Sequence, residues 1–344
     1  MAVKFTKPEI NIAEKVAELD KPSGIAGEAM LRADTPQEQF NLIGAGRRNL
    51  FINGAFEIFQ RGAGPASPTS GNLPATADRW HIPNTSEVTE VVANDRASHL
   101  TKMLKVTANS SGYGQLAQWI ENARTAAGQS VTISCWLKSP TVGPMRFHIY
   151  QNFGSGGSST VSVIDDSSYF NIDFANTWQR FETTIEIPSV TGKTIGAGSY
   201  IAIQMGAPSA IANRIVYYSE MQAELGKVAT PFEHRSYGEE FALCQRYYRR
   251  YETPNSSYMP FINGNTFAST QFQASYDAIG MRNEPTLETN GTASDYQIYS
   301  GIGGQNATGV PYLDPQSRYP VLDIRVPISG ATAGQGAWLR VNNN

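Results

Sequence analysis

The sequence predicts a mainly β protein. It has a jelly-roll-like β-sandwich, a short linking helix, a small C-terminal β domain and an extended or helical N-terminal segment. Three observations lead there. The 344 residues hold 31 glycines and 19 prolines but only 17% charged residues, where soluble chains carry about 25%. Short stretches of period-two alternation recur between turn signals over much of the chain. One helix start stands out among them, in SYGEEFALCQRYY (236–248).

Residues 1–47 differ from the rest. Asn11 can cap a short helix, with Glu14 three residues on and Ile12, Val16 and Leu19 along one face. Thr35-Pro36-Gln37-Glu38 starts a second, with a threonine cap and proline at the first helical position. Helices this short are marginal alone, since stability in water needs about 12–15 residues. The segment must pack on its own body or dock on a partner, and its apolar patches and Gly-rich connectors favour docking.

Residues 48–235 read as the sandwich. NLFINGAFEIFQRG (49–62) alternates around an Asn53-Gly54 turn, and residues 63–76 are a Pro/Gly/Ser loop. LTKMLKVTAN, GQLAQWIEN, GQSVTISCWLKS, MRFHIYQNF, TWQRFETTIEIPS, SYIAIQMG and RIVYYSEMQAEL follow as strands, the second also readable as a helical turn. About eight to ten strands with short turns argue for two packed sheets. Trp80, Trp119, Trp136 and Trp178 sit in strand phrases and read mostly as core.

Residues 236–252 are the linking helix. Ser236 and Glu239 form a capping box, Phe241, Cys244, Tyr248 and Tyr251 share a face, and Thr253-Pro254 ends it. Residues 253–344 return to β, with strands in 267–288, 294–302, 319–328 and around Trp338, and with GGQNATGVPYLDPQS as loop.

Net charge is −3, which gives no electrostatic basis for binding nucleic acid or an anionic membrane. No apolar run approaches the roughly 20 residues of a membrane span, and the N-terminus has no secretory h-region. Cys135 and Cys244 lie in apolar settings and read as buried free thiols, as suits assembly in a reducing cytoplasm. His81, His99, His148 and His234 are scattered, so no cofactor or structural metal is expected. Asp165, Asp166 and Asp173 read either as calcium ligands or as a solvated loop. TGKT (191–194) lacks the upstream glycine of a phosphate loop, because position 187 is Ile187. GSGGSS (154–159) lacks the order of a nucleophile elbow and reads as a flexible loop.

Over residues 48–250 the sequence resembles receptor-binding and tail-fibre proteins of tailed bacteriophages. The match runs from NLFINGAFEIFQRG through ADRWHI and QSVTISCWLKS. It ends in Gln222, Glu224, Gly226, Ala229 to Glu233 and Arg235, then Cys244 to Tyr247. The resemblance implies a carbohydrate-binding-module-like sandwich on a virion protein exposed at the particle surface. It implies a homotrimer, with Phe241, Cys244, Tyr248 and Tyr251 as oligomer-interface candidates against the alternative of packing on their own chain. Residues 1–47 look like a virion-anchoring peptide that binds other virion proteins. The ligand expected is host-surface glycan, with no enzymatic activity. Glycan recognition needs aromatic faces and placed polar groups, which singles out Tyr258, Tyr276, Tyr296, Tyr299, Tyr312 and Tyr319 among the Asn, Gln and Asp of the C-terminal domain. The rival expectations are a capsid fibre or decoration protein and a glycan depolymerase.

Overall fold

The structure, a computed structural model, describes residues 48–62, 73–74, 77–82, 86–92, 102–108, 113–163, 169–251, 258–289, 291–301 and 303–341. The expected N-terminal helices, His99, Asp165 and Asp166 lie outside them. The chain divides between Tyr237 and Gly238 into two compact units.

The first unit has twelve strands: β1 (Leu73–Pro74), β2 (Trp80–Ile82), β3 (Ser86–Val92), β4 (Lys102–Ala108), β5 (Leu116–Glu121), β6 (Ser130–Lys138), β7 (Gly143–Asn152), β8 (Val161–Val163), β9 (Tyr169–Ile172), β10 (Gln179–Glu186), β11 (Tyr200–Gly206) and β12 (Ile215–Leu225). One antiparallel sheet runs β10-β6-β12-β4-β3, and the other runs β1-β2-β5-β11-β7-β8 with β9 also on β7. Successive strands from β4 to β7, and again from β10 to β12, switch sheets, which is the jelly-roll pattern.

Between the sheets lies one apolar core. The first sheet contributes Leu104, Val106, Ile133, Cys135, Leu137 and Tyr218, and the second contributes Leu116, Phe147, Ile149, Ile201, Ile203 and Met205. Cys135 Sγ meets Met205 Sδ across it at 3.8 Å. Both cysteines are free and buried. Burial pushes the Cys135 thiol well above its ordinary range, so it is an inert core side chain.

The segment 49–62 corrects the sequence reading, for it forms bends and turns instead of a strand. Phe51, Phe56 and Ile58 are buried, and Phe51 and Phe56 flank Trp80 at 5.1 and 5.3 Å. Side chains and two backbone bonds to β12, Leu50 N–H to Ala223 and Met221 N–H to Gly54, hold it in place of a regular ladder. Asn53, at φ 59°, accepts from the N–H groups of Glu57 and Ile58 and donates to the carbonyls of Ile58 and Asp78. Gly54 is required, since a Cβ there would stand 2.3 Å from the Met221 carbonyl oxygen.

GSGGSS is likewise no free loop. Ser155 N–H donates to the Ala197 carbonyl, Gly196 N–H to Phe153, and Ser158 N–H to Thr194. A Cβ on Gly196 would lie 1.9 Å from the Ser155 oxygen, so two glycine-rich segments interlock backbone to backbone.

In the second unit, helix α1 spans Tyr237–Gln245, shorter than the expected 236–252. It stops because its terminal carbonyls are taken: Arg282 N–H donates to the Arg246 carbonyl and Arg249 Nε to that of Gln245. Beyond it come β13 (Met259–Ala268), β14 (Gln271–Asp277), β15 (Tyr296–Ser300), β16 (Gly303–Asn306), β17 (Tyr312–Leu313), β18 (Val321–Pro327) and β19 (Gly336–Val341). They form one antiparallel sheet in the order β16-β15-β19-β13-β14-β18-β17. The segment read as loop between 302 and 317 thus supplies both edge strands. One face of this sheet is lined by Phe272, Ala274, Ile298, Ile324, Val326 and Leu339.

Candidate functional site

Strand alternation sends every second residue of the sandwich's second sheet away from the core. The cross-strand register assembles those residues into rows. His81 on β2 faces Ala117 on β5. Trp119 on β5 faces Ala202 on β11, which faces Tyr150 on β7. Glu121 faces Tyr200, and Gln204 faces His148. The small Ala117 and Ala202 leave room between the rings.

The rings stack. His81 lies on Trp119 with centroids 4.2 Å apart and 15° between planes, and Tyr200 lies 5.3 Å from Trp119 at 26°. His148 and Tyr150 are 3.9 Å apart. Trp119, Tyr150, Tyr200 and His81 are only partly buried. Arg146, Gln204 and Asn152 add polar groups around them. Three near-parallel rings with amide and guanidinium neighbours form an apolar surface with a few placed polar groups.

The imidazoles add no charge to the face. Burial, then the charges of Arg79 and Arg61, holds His81 down to about 4, and burial with Arg146 does the same for His148. Both imidazoles are therefore neutral near pH 7. His148 Nε2 pairs with Ser162 Oγ at 2.7 Å. His81 Nδ1 is buried without a hydrogen-bond partner among the described residues. Among the described residues, the strands of this face carry the carboxylate of Glu121.

Sequence reasoning missed this platform because a tryptophan in an alternating strand reads equally well on either face. Only Trp80 is core; Trp119, Trp136 and Trp178 are partly exposed, a correction to their reading. The usable signal was phase: Trp119 sits between Gln118 and Ile120, out of step with the buried Leu116 and Ile120.

The C-terminal tyrosines do not form one cluster. Tyr296 is buried in the C-terminal core, so its ring is unavailable for stacking. Tyr276 points to the same side, with its hydroxyl 3.4 Å from that of Tyr251. Tyr258 donates to the Ser294 carbonyl and Tyr319 to that of Met281. Tyr299 and Tyr312 lie on the sheet's outer face and are exposed.

Of the interface candidates, Cys244 is covered within its own chain, because its residue is only 1% exposed. Phe241 and Tyr248 are partly buried. Tyr251 is exposed and lies beyond the helix, with its ring 5.0 Å from Phe261. Asp173 is exposed, and its N–H donates to Gln179 Oε1. Among the described residues no three His, Cys, Asp or Glu side chains gather as a metal site, and no helix is long and apolar enough to cross a membrane.

The residues from Gln222 to Arg235 serve closure. Gln222 Oε1 accepts from Glu233 N–H, and Glu224 accepts from both the N–H and hydroxyl of Thr230. Glu233 accepts from Asn49 N–H at 2.8 Å and pairs with Arg235 at 3.0 Å. Arg235 donates to the Phe51 carbonyl. The motif clasps the start of the sandwich to its end.

No family model and no curated protein matches the chain. Among solved structures, it is similar to the CBM22-2 xylan-binding domain of Paenibacillus barcinonensis Xyn10C, at 14% identity over 48% of this chain and 100% of that one, with a TM-score of 0.33. It is similar to TmCBM61, solved with β-1,4-galactotriose, at 16% identity over 52% and 100%, TM-score 0.31. Tailspike protein 4 of bacteriophage CBA120 is 16% identical over 52% of this chain and 21% of that one, TM-score 0.32. Likenesses of this strength assign the chain neither a ligand nor a family.

Proposed function

We propose that the protein is a bacteriophage virion fibre whose sandwich binds host-surface carbohydrate through the platform of Trp119, Tyr200, Tyr150 and His81. The stacked ring row carries the reading: partly exposed parallel rings beside Gln204, Asn152 and Arg146 suit the flat apolar faces and hydroxyl rims of sugar rings. Among the described residues the strands of that face carry one carboxylate, Glu121, and binding is the reading preferred to hydrolysis. The resemblance across residues 222–247 supports the fibre assignment. Residues 1–47 attach the chain to other virion proteins. The chain assembles as a homotrimer through Phe241, Tyr248 and Tyr251, which multiplies weak sites into avid adhesion.

Imaging of intact virions with a label on residue 344 tests the placement. Density at the tail is expected. Density on the capsid shell would make the chain a head fibre, and absence from the particle would remove the virion reading. Release of reducing sugar from host polysaccharide by the purified chain would replace binding with depolymerisation.

A further inference from the structure

The outer face of the C-terminal sheet carries a second aromatic arrangement, with an arginine lying over one of its rings. Cross-strand register places Gly304, Tyr299, Trp338 and Asn263 in one row across β16, β15, β19 and β13. The next row holds Asn306, Gln297 and Arg340. The rings of Tyr299 and Trp338 are 6.3 Å apart and within 21° of parallel, and the two residues are 38% and 45% exposed. The Arg340 guanidinium stands 4.6 Å from the Tyr299 ring centroid. Gln297 lies across Gly304, where a Cβ would come within 2.6 Å of its amide.

The same sheet offers an internal comparison. Arg325, on β18, pairs with Asp314 at 2.5 Å and with Gln271 Oε1 at 2.7 Å, and its charge is satisfied. Arg340 has no carboxylate and no hydrogen-bond acceptor among the described residues. A guanidinium lying over a ring keeps its in-plane N–H groups free, and their fork matches a carboxylate.

We infer that this face binds a carboxylate-bearing saccharide, a uronic or sialic acid unit. Trp338 and Tyr299 pack against the sugar ring, Arg340 pairs with its carboxylate, and Asn263, Gln297 and Asn306 bond hydroxyls. The inference shares with the sandwich reading only the premise that the chain meets saccharides. It adds a second site with its own ligand class.

Calorimetric titration of the full chain with trigalacturonate, trimannuronate and sialyllactose, each beside its carboxyl-reduced neutral form, tests it. At least one acid form is expected to bind at least tenfold tighter than its reduced partner. Arg340→Gln should remove that preference. Trp338→Ala should weaken both forms, and Trp119→Ala should leave the preference intact. Both C-terminal positions are partly or fully exposed, and unchanged melting of the variants checks that they fold. Equal affinity for acid and neutral forms, acid preference surviving Arg340→Gln, or no binding of any acid would overturn the inference. Loss of the preference in Trp119→Ala would also overturn it, by moving the acid site to the sandwich.

Discussion

Glu224 is 1% exposed, yet both its oxygens are used: one accepts Thr230 N–H at 2.8 Å and Gln222 Nε2 at 2.9 Å, the other the Thr230 hydroxyl at 2.7 Å. Removing one partner from such a buried network leaves the rest desolvated and unpaired. Glu224→Ala should cost about 3 kcal/mol of sandwich stability, read as a lower urea midpoint. A loss within error would mean the clasp does not hold the sandwich. His81 and His148 give a second prediction at this scale. Their folded pKa values near 4 lie below the ordinary 6.5. Between those values the unfolded chain takes up protons that the folded chain refuses. Stability is therefore full above about pH 6.5 and falls as pH drops toward 4. Melting temperatures from about pH 7 to about pH 5 should decline, and His81→Gln should flatten the decline. A wild-type curve as flat as the variant's would contradict the buried neutral imidazole.

At the scale of elements, the helix and the sheets were legible to different degrees. GQSVTISCWLKS and RIVYYSEMQAEL became β6 and β12, because strand-forming residues in alternation are a local signal, although both faces of each strand are largely buried. The capping box marked the start of α1 correctly. Its end was not visible, because the carbonyls of Gln245 and Arg246 are claimed by Arg249 and by Arg282, which lies far along the chain. The segment 49–62 misled because the side chains of Asn49, Asn53, Asp78 and Gln118 hold its backbone, beside isolated bonds from Leu50 N–H to Ala223 and from Met221 N–H to Gly54. The C-terminal edge strands β16 and β17 are too short to show a period. Of the proposed sites, the sequence reading had named Tyr299 and Tyr312 as candidates, and it had not named the sandwich platform. Arg249 offers a test of how α1 is ended. It donates to the carbonyls of Gln245, Asp277 and Ile279, at 2.6 Å to the last. Arg249→Ala should destabilise the C-terminal unit by about 2 kcal/mol, seen as faster amide exchange in α1 and β14. Unchanged exchange there would show that the helix end is held by other contacts.

For the whole molecule, two β units each present a face of partly or fully exposed aromatic rings, with Arg146 on one and Arg340 on the other. A fibre gains from such weak sites only when copies are linked. On the proposed homotrimeric assembly, Phe241→Asp should give a monomer in light scattering while the proposed saccharide affinity per chain stays the same. Adhesion to host cells should fall about a hundredfold with the lost avidity. A variant that remains trimeric would exclude the helix from the interface. The most direct measurement is affinity electrophoresis of the intact chain through gels containing purified host-surface polysaccharide, with Trp119→Ala run beside it. Retardation of the wild type and about tenfold weaker retardation of the variant are expected from saccharide binding at the sandwich platform. Equal retardation of the two, or free migration of the wild type, would contradict it.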